Sequence, residues 1–265
     1  MSRIADSFAR LKREGRRGFI PFVTAGDPDL ATTRALIPEL ARAGATLIEL
    51  GVPFSDPMAD GPVIQRSSER ALKKQVTVAN VLAVVADARA ETDVPVVLFS
   101  YFNPLLQFGV ERLCVEARAA GVDGMLVTDL APEEAGGFSQ SLTAHGLDLI
   151  FLVAPTSTDA RLRMVAERAG GFIYAVSRAG VTGAQAEMSS EAERLVRRVR
   201  AVTDLPVAVG FGISTGAQVA DVWRYADAAV VGSAIVAEME RAQIDPQLVS
   251  RIGAFVRGLL PAPVA

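Results

Sequence analysis

The sequence is poor in side chains suited to proton transfer and metal binding near neutral pH. It has one histidine, His145, one cysteine, Cys114, and three lysines, Lys12, Lys73 and Lys74. A single cysteine excludes an internal disulfide and suits a reducing cytoplasm. A zinc site would have to be built almost wholly from carboxylates, which zinc takes less readily than His or Cys, so no metal centre is expected. All three lysines fall in segments that read as polar helix, away from strand ends, which argues against a Schiff-base or PLP-anchoring lysine. No apolar run approaches the ~20 residues of a membrane span, and the charged, amphipathic segment 1–17 has no apolar signal core. The formal charge is −3 and the pI about 5.4, so neither nucleic acid nor a membrane is the expected partner. A small phosphorylated ligand fits, because backbone N–H groups bind phosphate without net positive charge. Asp, Glu, Tyr and backbone groups are left to carry any catalysis.

What is present is an alternation. Short β-rich runs at Gly18–Val23, Thr46–Gly51, Val94–Ser100, Gly124–Asp129, Leu147–Val153, Gly171–Val176, Pro206–Gly210 and Ala228–Gly232 are separated by amphipathic runs. Most of the β-rich runs are almost continuously apolar, as parallel strands covered by helices must be. Val78, Val81, Leu82 and Val85 share one helical face, as do Ala192, Leu195, Val196 and Val199. Ser190 and Glu193 have the spacing of a capping box. Ala-Gly recurs before strands at Ala43-Gly44, Ala120-Gly121 and Ala169-Gly170, where Gly suits a helix end. Eight such units in 265 residues predict one domain over 1–265, an α/β TIM (β/α)8 barrel. A doubly wound open sheet is the lesser alternative. Residues 2–14 read as an extra N-terminal helix, and Asp245–Leu259 as the last one.

One connection is too long. The excess lies at Val52–Val76, directly after the second strand, at the face where barrel active sites sit. In Thr46–Gly51, alternation puts Leu47 and Glu49 on one side and Ile48 and Leu50 on the other. If Ile48 and Leu50 pack on helices, Glu49 points into the barrel, where desolvation raises its pKa toward a range useful for proton transfer. The bland alternative is a structural carboxyl tied to an Arg or a backbone group. Asp60 precedes Gly61-Pro62, which opens a helical stretch, so its pattern fits a helix cap as well as a catalyst. Asp56, before Pro57, fits a turn. Asp129 and Tyr174 sit at or near strand ends and are further candidates for the pocket wall, although Tyr174 fits a core aromatic equally. His145 reads as surface and Cys114 as core.

Three glycine-bearing stretches follow the last strands: Ser177–Gly183, Gly210–Ser214 and Gly232–Ala234. Loops after the seventh and eighth strands, with a short helix after the eighth, form the common phosphate site of barrels. The stretch after the sixth strand, with two glycines, is expected to act as a lid.

Together these segments resemble the tryptophan synthase α-subunit family. The resemblance is carried by "PFVTAGDP" (Pro21–Pro28), "IELGVPFSDPMADGP" (Ile48–Pro62), "FIYAVSRAGVTG" (Phe172–Gly183), "GFGIS" (Gly210–Ser214) and "GSAIV" (Gly232–Val236). It implies a lyase of tryptophan biosynthesis that cleaves indole-3-glycerol phosphate to indole and glyceraldehyde 3-phosphate by a retro-aldol reaction. It implies Glu49 as general acid and base, Asp60 as acceptor for the indole N–H, and Tyr174 as a supporting pocket hydroxyl. Phe22 matches a wall of the indole pocket. Gly183, Phe211, Gly212, Gly232 and Ser233 match phosphate-binding positions, and Thr182 a lid residue that bonds Asp60. The resemblance also implies a cytoplasmic α2β2 complex, with PLP in the β subunit and with Pro53 and Asp56 at the contact. A free-standing lyase that releases indole, a non-catalytic barrel and another phosphosugar enzyme are the competing readings.

Overall fold

The computed structural model describes residues 2–176, 185–210 and 212–261. Eight strands, β1 (Gly18–Thr24), β2 (Ile48–Gly51), β3 (Val96–Ser100), β4 (Gly124–Val127), β5 (Asp148–Val153), β6 (Ile173–Val176), β7 (Val207–Gly210) and β8 (Ala228–Val231), form a closed barrel in chain order among these residues. Every neighbouring pair is parallel, and β1 pairs with β8 from Gly18↔Ala228 to Pro21↔Val231. Closure excludes the open-sheet alternative. All eight strands fall within a residue or two of their expected places.

The alternation in each strand sorts two apolar layers. Ile48, Leu50, Val96 and Leu98 pack outward with the helices, in one cluster with Val81, Val85, Leu195 and Val199. Ile20, Phe22, Leu47, Val97, Phe99, Leu126 and Phe172 fill the interior. Each fully buried aliphatic or aromatic side chain contributes roughly 1.5–3 kcal/mol, which is why a pattern of period two holds the register.

The extra N-terminal helix, Arg3–Arg13, closes the bottom of the barrel. Ser2 caps it, and Ile4, Phe8 and Leu11 face inward at helical spacing, with Phe8 and Phe172 centroids 5.8 Å apart. Polar contacts hold it there. Arg3 reaches Asp123 at 3.0 Å, Arg89 reaches the same carboxylate at 3.1 Å, and the Val96 N–H donates to it at 2.9 Å. Ser2 donates to Asp148 at 2.6 Å. At the β1–β8 seam, Trp223 Nε1 donates to the Gly18 carbonyl at 2.8 Å, and Arg17 donates to the Trp223 carbonyl at 3.2 Å.

Two local expectations change. Ser190 is not a cap, because the helix Gln185–Arg200 begins before it and carries it inside. The Ala-Gly repeat also splits. Gly44 (φ 109°) and Gly121 (φ 85°) take the left-handed region after their helices, but at the third repeat Gly171 does so (φ 68°) rather than Gly170. Gly170 lies too close to the Asp148 carboxylate for a side chain: a Cβ there would stand 2.6 Å from Oδ1.

The long connection after β2 holds two helices, Pro62–Lys73 and Val78–Ala88. After β8 comes the short helix Ser233–Arg241. No helix among the described residues is long and apolar enough to cross a membrane.

Candidate active site

Side chains that end or follow several strands enclose a cavity of about 340 Å³ at the upper end of the barrel. Its wall includes Phe22 of β1, Glu49 of β2, Phe99 of β3, Tyr174 of β6 and Val230 of β8. Asp60, Gly61 and Ile64 come from the long β2 connection, and Gly212, Gly232 and Ser233 from the loops after β7 and β8. The volume lies in the range of small-ligand sites. A larger cleft of about 870 Å³ lies at the opposite end, beside the N-terminal helix. Its cations Lys12, Arg16, Arg17 and Arg200 are exposed side chains. The smaller cavity is the chemical one, because it holds the two carboxyls that burial raises furthest, Glu49 and Asp60.

Glu49 sits in register with Phe22 on one side and Val97 on the other, so it points inward as they do. It is 1% exposed, and its Oε1 has no hydrogen-bond partner. Burial alone pushes its pKa up to about 8. A carboxyl in that state is neutral at pH 7 and can give a proton. The structural alternative, a carboxyl tied to Arg or backbone, does not describe it.

Asp60 is half-buried. The N-cap of Pro62–Lys73 is Gly61, with Pro62 in the first turn and no side-chain cap. The cap reading of Asp60 therefore fails, and its carboxyl is free to face the cavity. Its backbone is fixed instead: its N–H donates to the Pro57 carbonyl at 3.0 Å, and Gln65 donates to its carbonyl at 2.9 Å. Burial raises the Asp60 pKa to about 6, and a hydrogen bond from the Tyr101 hydroxyl opposes the rise. The same hydroxyl accepts the Ala59 N–H at 2.8 Å, and burial and the Asp60 charge push its own pKa up to about 12. Tyr101 was not expected from the sequence. Its place directly after β3, where barrel catalytic groups stand, was the available signal.

Tyr174 is 4% exposed and lines the cavity. Burial, and then the Glu49 charge, raise its hydroxyl well above the usual range. Gly210 leaves the room its hydroxyl occupies, since a Cβ there would collide with it. Phe22 meets Phe99 edge to face at 5.2 Å, forming an apolar slot suited to a flat aromatic ring. Gly51 allows this, because a Cβ would stand 2.6 Å from the Phe22 ring.

Gly212, Gly232 and Ser233 come together at the start of helix Ser233–Arg241. Such a first turn presents unpaired N–H groups and a partial positive charge, an arrangement that suits phosphate. Thr182, Gly183 and Phe211 lie outside the described residues. Asp129 does not line the cavity; it is exposed and accepts the Phe102 N–H at 2.7 Å. Of the expected contact residues, Asp56 is exposed but Pro53 is buried, so Pro53 shapes the loop from within rather than offering surface. Met58, 91% exposed, offers more. His145 is half-buried against the Ser141 carbonyl, and Cys114 is core. No lysine reaches the cavity wall. Among the described residues no group of three or more His, Cys, Asp or Glu is placed to hold a metal ion.

Comparison with known proteins places the chain in a family. Residues 8–259 match the family described as tryptophan synthase alpha chain. The chain is 51% identical to the tryptophan synthase alpha chain of Geobacter sp. (strain M21), covering 98% of this chain and 97% of that one. It is 47% identical to that of Chloroflexus aurantiacus, covering 99% and 98%. Among solved structures, tryptophan synthase subunit alpha from Legionella pneumophila superposes with a TM-score of 0.90 at 36% identity, covering 98% and 97%. A chain of tryptophan synthase from M. tuberculosis, in an aminoacrylate-bound form, gives 0.86 at 37% identity, covering 98% and 100%.

Proposed function

The chain belongs to the tryptophan synthase alpha chain family, and from that premise we propose which side chains carry its reaction. The reaction is the lyase step of tryptophan biosynthesis, the retro-aldol cleavage of indole-3-glycerol phosphate to indole and glyceraldehyde 3-phosphate. Neutral Glu49 delivers its proton to indole C3, which leaves positive charge on the ring at N1. The ionised Asp60 carboxylate accepts the N1–H hydrogen bond and stabilises that charge. Glu49, now a carboxylate, takes the proton from the hydroxyl on the adjacent glycerol carbon. The O–H electrons become the new C=O bond, the C–C bond breaks, and its electrons return to the ring. Glu49 gives one proton and regains one. The observation that carries this reading is a buried carboxyl, its Oε1 without a hydrogen-bond partner and its pKa at about 8, in one cavity with a second carboxyl at about 6.

Tyr174 supports the reacting carbon, Phe22 walls the indole, and Gly212, Gly232 and Ser233 receive the phosphate together with Gly183 and Phe211. The chain works as one domain in the cytoplasm, within an α2β2 complex whose β subunit holds PLP. The exposed Asp56 and Met58 on the β2 connection support a contact there.

The test is an assay of the purified chain on indole-3-glycerol phosphate, alone and with the β subunit. Wild type cleaves the substrate and the partner stimulates it. Glu49→Gln binds the substrate but loses about 10²–10⁴-fold in turnover. Near wild-type turnover in that variant overturns the Glu49 assignment. Absence of stimulation would favour a free-standing lyase.

A further inference from the structure

Behind the cavity runs a chain of ion pairs that no step of the reaction uses. Arg66 and Arg70 stand one turn apart on the helix Pro62–Lys73 and both reach Glu240, in the last turn of Ser233–Arg241. Arg66 donates to it twice, at 2.8 and 2.7 Å, and Arg70 once, at 2.7 Å. Arg70 also grips Asp27, in the loop after β1, through two bonds of 2.8 and 2.7 Å. Asp27 is 1% exposed. A carboxylate in a helix's last turn opposes the helix dipole, and two arginines four residues apart repel each other. Each arrangement is stable because of the other, and the hydrogen bonds of the arginines hold the Glu240 carboxyl down to about 2. A neutral pin runs beside them: Thr24 of β1 meets Ser67 at 2.6 Å, and Ser67 donates to the Ile64 carbonyl at 2.7 Å.

Both helices begin at the cavity. One follows Asp60 and puts Gly61 and Ile64 into the wall; the other opens with Gly232, Ser233 and Ala234. The ion-pair chain thus ties the element at the indole end to the element at the phosphate end, and ties both to β1, which carries Phe22. We propose that Glu240, Arg66 and Arg70 are positioning residues that fix the separation of the two cavity ends, so that a substrate spanning both is held as one ligand. The inference rests on the reading of Asp60 and of Ser233–Arg241 as those two ends.

The experiment is calorimetric binding to the full chain of three probes: an indole bearing a 3-propyl phosphate arm, indole alone and inorganic phosphate. Glu240→Gln is expected to weaken the two-ended probe about tenfold, while indole and phosphate each change less than about twofold, the signature of a lost coupling between sites. The KM for indole-3-glycerol phosphate should rise in parallel, with kcat changed less. Arg66→Gln, which leaves Arg70 on Asp27, should repeat the pattern and serves if Glu240→Gln fails to fold. Unchanged two-ended binding overturns the inference, as does equal weakening of all three probes, which would mean local damage. A wild-type chain that does not bind the two-ended probe overturns the substrate reading and this inference with it.

Discussion

Glu49 and Asp123 are both buried acids of the same barrel, at opposite ends and in opposite company. Burial raises the proton affinity of each. At Asp123 the Val96 N–H, Arg3 and Arg89 all act the other way. At Glu49 nothing does, and Oε1 is left without a partner. The bottom of the barrel shows how a carboxylate is buried for stability, with donors on every side. The top shows how a carboxyl is buried for chemistry, kept neutral until substrate arrives.

The largest effects come from disarming each acid. Asp123→Asn leaves Arg89 without its charge partner, at a cost on the order of 3–5 kcal/mol. The thermal midpoint should fall by roughly 10 °C, with turnover per folded molecule retained. Glu49→Gln should do the reverse, abolishing most turnover and raising the midpoint. The sign follows from proton uptake. With a folded pKa of about 8 against an ordinary 4.5, the folded chain keeps a proton that the unfolded chain releases. Wild type therefore loses stability as pH rises from about 4.5 to about 8, and the amide variant does not. Melting curves of the pair should coincide near the lower limit and separate up to the higher one. Coincidence at pH 8 would mean that Glu49 ionises freely and that the two ends do not differ.

The next effect is in the pH profile. Cleavage needs Asp60 ionised and Glu49 protonated, so kcat/KM should rise through about 6 and fall through about 8. Asp60→Asn should lose the acid limb along with most of its rate. A flat profile from about pH 5 to about pH 9 would break the assignment of both limbs.

The smallest effect sharpens the contrast from the side. The Tyr101 hydroxyl lowers the Asp60 pKa and receives the Ala59 N–H. Tyr101→Phe should move the acid limb to higher pH and reduce kcat/KM by about tenfold, as for one lost bond to a charged group. An acid limb that stays put would remove Tyr101 from the site.

The fold was legible because period-two strands and period-3.6 helices alternate without interruption, and because an inward Glu49 follows from Ile48 and Leu50 packing outward. Pattern alone could not decide Asp60. The same Gly61-Pro62 that makes Asp60 look like a cap places Gly61 in the cap position and releases the carboxyl. Tyr101 and the Arg70–Glu240 pairing were hidden because their partners are distant in sequence: Glu240 is 170 residues from Arg70. The capping-box motif at Ser190 misled because a local motif does not exclude helix upstream of it. The resemblance implies Pro53 at a subunit contact, yet its side chain is buried within the chain, a burial that no local pattern in the loop announces.

Trp223 is the only tryptophan of the chain, and its indole N–H is bonded to the first residue of β1. The fold has thereby fitted its own fluorophore to the weld where the ring of strands closes. An emission-monitored melt of this chain times the parting of first strand from last. Because the fluorophore is absent from the cavity wall, the same signal stays dark to whatever enters at the other end.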